Sequence, residues 1–117
     1  SVWESILYAG VKKMDNLIAF VDYNKIQSFG RTAEVLDLEP FADKFRAFRW
    51  HVQEIDGHNF AEIIAAINQA KKIKGTPHCI IAHTIKGKGV SFMEDKLEWH
   101  YRSPTGELLE QPLKELK

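Results

Sequence analysis

The chain has 117 residues, of which 44% are hydrophobic and 27% charged, which allows one ordinary globular domain. Sixteen basic residues balance sixteen acidic ones, so charge gives no reason to expect a nucleic acid or an anionic membrane as partner. The single cysteine, Cys79, excludes an internal disulfide and favours a reducing, cytoplasmic location. No apolar run approaches the roughly 20 residues that cross a bilayer.

Helical periodicity opens the chain. Apolar residues recur at helical spacing over residues 3–14, and the polar pair after them ends the helix. Because this pattern is already under way at Ser1, we expect the natural polypeptide to extend upstream. Residues 17–21 form a continuous apolar run, which is typical of a strand buried on both faces and therefore parallel to its neighbours. A polar, turn-rich loop is predicted over residues 22–38.

Two further helix–strand pairs follow this loop. One helix opens at Pro40, in a position where proline is tolerated, and its strand covers residues 50–55. Asn59 is the predicted N-cap of the next helix, and the third strand covers residues 78–84. The apolar faces of the two helices are predicted to consist of Phe41, Phe45, Phe48, Phe60, Ile63, Ile64 and Ile67.

The order of elements predicts the fold class. A loop over residues 86–102 and a weak helix over residues 108–116, disturbed by Pro112, end the chain. The alternation of helices and strands predicts an α/β fold with an open parallel sheet and helices on both faces. Ligands bind beyond the carboxyl ends of the strands in such sheets. The loops at those ends are residues 22–24, 56–58 and 84–87.

The loop after the first strand could hold a metal ion. The side-chain oxygen of Asn24 and the backbone carbonyl of Ile26 can both face one hard cation. Mg²⁺ prefers such oxygen ligands in an octahedron that substrate phosphates complete. Asn24 could instead be a turn residue that bonds its own backbone, which is the commoner role of asparagine in a turn. The residue pattern alone leaves both interpretations open.

Two other features could contact an anion. The basic, glycine-containing turn at residues 86–89 could cradle a phosphate or could be a solvated turn. His100 lies between two aromatic residues. It could contact an anion or a sugar phosphate, or it could fill space within a packed loop. No Cys or His cluster has the spacing of a zinc site. His78 and His83 should point to opposite faces of one strand, so they cannot share a metal.

Three stretches of the sequence indicate more than spacing and periodicity do. They are residues 14–27, which contain Asp22-Tyr23-Asn24-Lys25-Ile26, residues 42–58, which end in Asp56-Gly57-His58, and residues 81–93, which contain Ile85-Lys86-Gly87-Lys88-Gly89. Together, and in this order, they resemble the transketolase family over nearly the whole chain. The family's metal-binding motif opens with Gly-Asp-Gly and closes with an Asn after a buried strand. The resemblance implies that residues 1–117 are the distal part of a single thiamine-diphosphate-binding domain.

The resemblance also implies roles for particular residues. Asn24 would bind Mg²⁺ through its side chain and Ile26 through its carbonyl. Gly30 matches a glycine in the loop behind thiamine diphosphate, and Ile85 lies near this cofactor. His100 matches a histidine that contacts the diphosphate, although the residues around it depart from the commonest form of the motif.

The implied function is the transfer of a two-carbon ketol unit between sugar phosphates. A pyrimidine-binding domain or separate subunit would complete the site, in a homodimer or a heterotetramer, and Glu4 would join a carboxylate network across the dimer interface. Because the first metal ligand and the glutamate that activates the cofactor lie outside the chain, we expect the fragment to be inactive alone. Two alternatives stay open: a 1-deoxyxylulose-phosphate-synthase-like enzyme, which joins pyruvate to an aldehyde, and a catalytically inactive α/β interaction module.

Overall fold

A computed structural model describes residues 1–117, and contacts divide the chain into two compact units. The first unit comprises Ser1–Tyr23 and Glu39–His83, and the second comprises Asn24–Leu38 and Thr84–Lys117. The elements in chain order are α1 (Val2–Val11), β1 (Ile18–Tyr23), β2 (Ile26–Gln27), β3 (Gly30–Arg31), α2 (Thr32–Val35), α3 (Phe41–Ala47), β4 (His51–Asp56), α4 (Phe60–Lys72), β5 (His78–His83), a 3₁₀ helix (Leu97–His100) and α5 (Glu107–Glu115).

A three-stranded parallel sheet lies at the centre of the first unit. Its strand order is β1-β5-β4, and both neighbouring pairs are parallel. The central strand, β5, is apolar between its two terminal histidines, and Ile80 and Ile81 in its middle are 0% and 1% exposed. A strand covered on both faces needs such a continuous apolar sequence. The predicted α/β fold with a parallel sheet flanked by helices is confirmed.

Aromatic side chains pack the first unit together. Phe41 and Phe45 of α3 and Trp50, which precedes β4, are each less than 10% exposed. The indole nitrogen of Trp50 donates a buried hydrogen bond of 2.9 Å to the carbonyl of Ile6 in α1. Phe48, the third predicted member of the α3 face, is half-buried and contacts the Trp3 ring at 6.2 Å. Phe41 and Phe45 are core, as their helical spacing predicts, and Phe48 is partly buried.

The predicted apolar face of α4 is partly wrong. Phe60 and Ile64 are 80% and 58% exposed, whereas Ala66 and Ala70 are buried. At 100° per residue, the buried alanines centre the packed face beside Ile63, which turns the two larger side chains outward. Alanines on this face let α4 approach the sheet closely, and Gln53 of β4 donates a hydrogen bond of 3.0 Å to the carbonyl of Ala66.

The two predicted loops contain structure that periodicity did not indicate. The segment 22–38 holds β2, β3 and α2, and β2 pairs with β3 in a short antiparallel hairpin. The hairpin needs Gly30, because its φ of +148° is a conformation that residues with a side chain rarely adopt. The segment 86–102 holds the 3₁₀ helix. Elements of two to four residues are too short to show a helical or strand period.

The N-cap of α4 is confirmed and gives a first prediction. The Asn59 side chain accepts hydrogen bonds from the backbone nitrogens of Ala61 and Glu62, at 3.0 and 3.3 Å. Asn59→Ala should lower the free energy of unfolding by about 1 kcal/mol, measured by urea denaturation of the full-length polypeptide. The control is Asn68→Ala, at an exposed position inside the same helix, which should be neutral or slightly stabilising. Equal losses in both variants would contradict the cap.

Candidate functional site

The carboxyl edge of the parallel sheet carries a polar network. Tyr23, the last residue of β1, donates a hydrogen bond of 2.5 Å to Oε1 of Glu39. His83, the last residue of β5, contacts Oε2 of Glu54 through Nε2 at 3.1 Å, and Arg46 lies 3.6 Å from the other oxygen of Glu54. The sequence did not indicate this network, because its members are far apart in the chain.

Directly after β1, the chain forms a turn around Asn24. The Asn24 side-chain oxygen accepts a hydrogen bond of 3.0 Å from the backbone nitrogen of Ile26, and Lys25 between them has a φ of +63°. This is the turn that the sequence allowed for Asn24. An amide oxygen has two lone pairs, so the bond to Ile26 leaves one available for a cation.

In the β2–β3 hairpin, the carbonyl of Ile26 accepts no hydrogen bond from the partner strand. Ile26 pairs with Arg31, and the backbone nitrogen of Thr32 donates to the carbonyl of Lys25 at 3.0 Å. In an antiparallel ladder, this pattern marks Ile26 and Arg31 as a non-hydrogen-bonded pair, whose carbonyls point away from the partner strand. The turn therefore presents two oxygens close in sequence, the Asn24 amide and the Ile26 carbonyl, that fit a hard cation.

A pocket of about 280 Å³ adjoins the hairpin. It is lined by Ile26, Gly30, Arg31, Glu34, Asp95 and Leu97. Arg31 closes part of it with a two-bond contact to Asp95, in which Nη1 donates to Oδ1 at 2.8 Å and Nη2 to Oδ2 at 2.5 Å. The hydrogen bond and charge of Arg31 lower the pKa of the Asp95 carboxyl. The pair joins the hairpin to the segment that begins at Thr84.

The basic turn at residues 86–89 is occupied by a carboxylate of the protein itself. The backbone nitrogen of Gly89 donates to Oε1 of Glu94 at 2.9 Å, and the Lys88 ammonium lies 3.6 Å from the same oxygen. Gly87 has a φ of +73°, and a methyl group there would lie 2.8 Å from the carbonyl oxygen of Met93. The turn is therefore packed and charge-paired. Ile85, just before it, is 40% exposed.

His100 lies at the end of the 3₁₀ helix and is exposed. Its Nε2 atom is 3.3 Å from the hydroxyl of Ser28 at the tip of the hairpin. The neighbouring Tyr101 hydroxyl donates to the backbone carbonyl of Ser28 at 3.0 Å. His100 is thus brought beside the hairpin that contains Ile26, a contact across 72 positions in the chain.

The six residues predicted for the site fall in two groups. Asn24, Ile26, Gly30, Ile85 and His100 all belong to the second unit. Glu4 belongs to the first unit, on the exposed surface of α1. A backbone hydrogen bond lowers the pKa of Glu4.

Two histidines on neighbouring strands, His51 and His78, and the cysteine, Cys79, pack within the first unit. His78 is fully buried and its Nε2 lies 3.2 Å from the carbonyl of Ile73, while burial and the neighbouring His78 lower the pKa of His51. Burial raises the pKa of the Cys79 thiol to about 12, which makes it a poor nucleophile. No group of three or more His, Cys, Asp or Glu side chains is placed to hold a metal ion. None of the helices is long and apolar enough to cross a membrane.

The parallel sheet and the oxygen-bearing turn after β1 define the class: an α/β protein with its candidate site among the loops that follow the strands. A family model described as "Transketolase, thiamine diphosphate binding domain" matches residues 2–111. The chain belongs to the transketolase family, as the resemblance of its motifs predicted, and the matching domain is the one that binds thiamine diphosphate.

Individual relatives agree with this assignment. The chain is 51% identical over 116 residues to the 6-deoxy-6-sulfo-D-fructose transketolase subunit SqwG of Clostridium sp. (strain MSTE9), a match to 99% of the chain and 42% of that protein. It is 39% identical over 116 residues to one subunit of the apulose-4-phosphate transketolase of Phocaeicola vulgatus, a match to 99% of the chain and 41% of that protein. The chain thus spans less than half the length of these relatives.

A solved structure shows the same fold. The transketolase of Campylobacter jejuni superimposes with a TM-score of 0.86 and 32% sequence identity. The match covers 96% of the chain and 17% of the neighbour. These relatives and this neighbour support a transferase-type enzyme in general terms.

Proposed function

We propose that residues 1–117 form the distal part of a single thiamine-diphosphate-binding domain in an enzyme that transfers a two-carbon ketol unit between sugar phosphates. Family membership supports the cofactor and the reaction class. The observation that carries the proposal to particular residues is the turn after β1. There the Asn24 amide oxygen and the unused Ile26 carbonyl are held in place by one hydrogen bond.

The residues of the turn fit a magnesium site that the rest of the enzyme completes. Mg²⁺ takes six oxygen ligands in a rigid octahedron and is usually bound by a few protein oxygens plus phosphates. Asn24 and Ile26 would supply two neutral ligands. The remaining positions would go to diphosphate oxygens and to an acidic residue of the domain outside this chain.

The cofactor supplies the carbanion chemistry once it is bound, and the protein binds and orients it. Asn24 and Ile26 hold the metal, and His100 contacts the diphosphate. Gly30 keeps the hairpin in the conformation that positions Ile26, and Ile85 lies near the cofactor. The turn at residues 86–89 has its own carboxylate partner, Glu94, so it is not assigned to the diphosphate.

A partner domain or subunit is the second part of the proposal. Two of the relatives are named as transketolase subunits. We propose that this chain belongs to such an amino-terminal subunit, which pairs with a separate pyrimidine-binding subunit in a heterotetramer, or to a polypeptide that also contains the pyrimidine-binding domain and forms a homodimer. Glu4 would join the carboxylate network at the dimer interface. The face of α1 that carries Glu4 fits a covered surface, because Tyr8 and Val11, four and seven residues after Glu4, are both more than half exposed.

The test is reconstitution of the full-length polypeptide with its partner. With thiamine diphosphate and Mg²⁺, the complex should transfer a two-carbon unit from a ketose phosphate to an aldose phosphate, and activity should be lost with a chelator and restored by Mg²⁺. The separate polypeptide should show no turnover. Product from pyruvate and an aldehyde phosphate, without ketol transfer, would favour the synthase alternative. If the complete complex does not bind the cofactor, the result would favour the alternative of a catalytically inactive α/β interaction module.

A further inference from the structure

Three residues around the tip of the β2–β3 hairpin form a closed ring of contacts. The Ser28 hydroxyl lies 3.3 Å from Nε2 of His100. The Tyr101 hydroxyl donates to the Ser28 carbonyl at 3.0 Å. The His100 and Tyr101 rings meet edge to face, with centroids 5.0 Å apart and planes at 77°. Each residue therefore contacts the other two.

The other side of His100 is also anchored. The indole nitrogen of Trp99 donates to the carbonyl of Phe92 at 3.1 Å, and the two rings pack edge to face at 5.0 Å. Both chain neighbours of the histidine are thus fixed by contacts of their own. An exposed imidazole held in this way has lost much of its rotational freedom before any ligand arrives, and this lowers the entropy cost of binding.

The contact with Ser28 also bears on which ring nitrogen faces a ligand. A diphosphate oxygen accepts hydrogen bonds, so the ring nitrogen that faces it has to carry a proton. When the Ser28 hydroxyl donates to Nε2, the neutral ring carries its proton on Nδ1. In that tautomer the serine orients the ring and leaves the opposite nitrogen as an N–H donor.

We propose that Ser28 and Tyr101 are positioning residues for His100: they fix its ring so that Nδ1–H meets the diphosphate. The inference rests on the proposed function, because it takes the diphosphate as the ligand of His100. It also links His100 to the proposed metal-binding turn, since Ser28 is two residues after Ile26.

The experiment is a double-mutant cycle on the dissociation constant of thiamine diphosphate. It uses the full-length polypeptide with its partner and saturating Mg²⁺. Ser28→Ala and Tyr101→Phe should each weaken binding about 5-fold, as expected for one lost hydrogen bond. Ser28→Thr, which keeps a hydroxyl, should bind nearly as the unmodified protein does. In a His100→Ala background, Ser28→Ala and Tyr101→Phe should have no further effect, because both act through the imidazole.

A matched control separates positioning from general damage. Ser103→Ala removes an exposed hydroxyl from the same segment and should leave the dissociation constant unchanged. If Ser28→Ala weakens binding equally with and without His100, the serine acts through the fold of the hairpin and the inference is wrong. It is equally wrong if neither Ser28→Ala nor Tyr101→Phe changes binding.

A second probe, inorganic pyrophosphate, keeps the inference separable from the proposed function. Thiamine diphosphate binding without coupling between Ser28 and His100 would overturn the inference and leave the function standing. If Ser28 and His100 are coupled in pyrophosphate binding but the protein does not bind thiamine diphosphate, the inference stands and the proposed function is wrong. If neither probe binds the complete complex, both proposals are wrong.

Discussion

Asn24→Ala should reduce kcat/KM of the complete enzyme by a factor on the order of 100 or more, since even residues that only support metal ligands cost 10- to 100-fold when removed. The substitution removes one proposed metal ligand. It also removes the acceptor for the Ile26 nitrogen, the 3.0 Å bond that holds the second ligand in place. The measurement is turnover at increasing Mg²⁺, together with the dissociation constant of thiamine diphosphate.

The matched variant for this prediction is Asn24→Asp. It keeps an oxygen that can both accept from Ile26 and bind a cation, so it should retain far more activity than Asn24→Ala. Asn68→Ala, on the exposed surface of α4, controls for loss of an amide elsewhere. If Asn24→Ala binds the cofactor with the same magnesium dependence as the unmodified enzyme, Asn24 is a turn residue and nothing more.

The case of Asn24 shows how far the sequence leads. A polar turn after a buried strand allowed either a cation ligand or a self-bonding turn. The structure shows the turn, and the second lone pair of the amide keeps the ligand role compatible with it. The orientation of the Ile26 carbonyl, the second proposed ligand, depends on the register of a hairpin with two residues in each strand. No periodicity in so short a segment predicts that register.

Contacts between distant residues were likewise beyond prediction from sequence. Arg31 and Asp95 are 64 positions apart, and Ser28 and His100 are 72 apart. Their side chains meet because the hairpin and the segment after Thr84 fold into one compact unit. A serine in a turn and an arginine at the end of a strand are common on protein surfaces, so neither carries a signal. The family resemblance predicted a role for His100 but did not indicate the residues that contact it.

The order of helices and strands was better predicted, because long buried helices and strands show a clear pattern of apolar residues. The central strand follows from the apolar run around Ile80 and Ile81, and the cap of α4 follows from Asn59. The face of α4 was misassigned for a physical reason. Alanine is compatible with both surface and core, so the pattern gave more weight to Phe60 and Ile64 than to Ala66 and Ala70, which pack inward.

The second large effect is expected at Gly10, near the end of α1. An added methyl group there would lie 1.9 Å from the carbonyl oxygen of Phe48 and 3.1 Å from its carbonyl carbon. The obstacle is backbone, and it is held in place: the Phe48 nitrogen donates to the carbonyl of Phe45 at 3.1 Å, and so does the Trp50 nitrogen. The Phe48 carbonyl cannot move away from Gly10 without breaking the turn that leads into β4.

Gly10→Ala should therefore lower the free energy of unfolding by about 3 kcal/mol or more, as overpacking of a rigid interior does. The sign is diagnostic, because alanine for glycine inside an unobstructed helix stabilises by about 1 kcal/mol. Urea denaturation of the full-length polypeptide, followed by far-ultraviolet circular dichroism, measures the change.

Gly75→Ala is the control for Gly10→Ala. Its added methyl group meets nothing within 4 Å, and its cost comes from a φ of +78°. That conformational cost is about 1 kcal/mol, clearly below the loss expected at Gly10. A stabilised or unchanged Gly10→Ala protein would mean that α1 does not approach the turn after α3 so closely. Because α1 also carries Glu4, such a result would remove the structural support for placing Glu4 at a subunit interface.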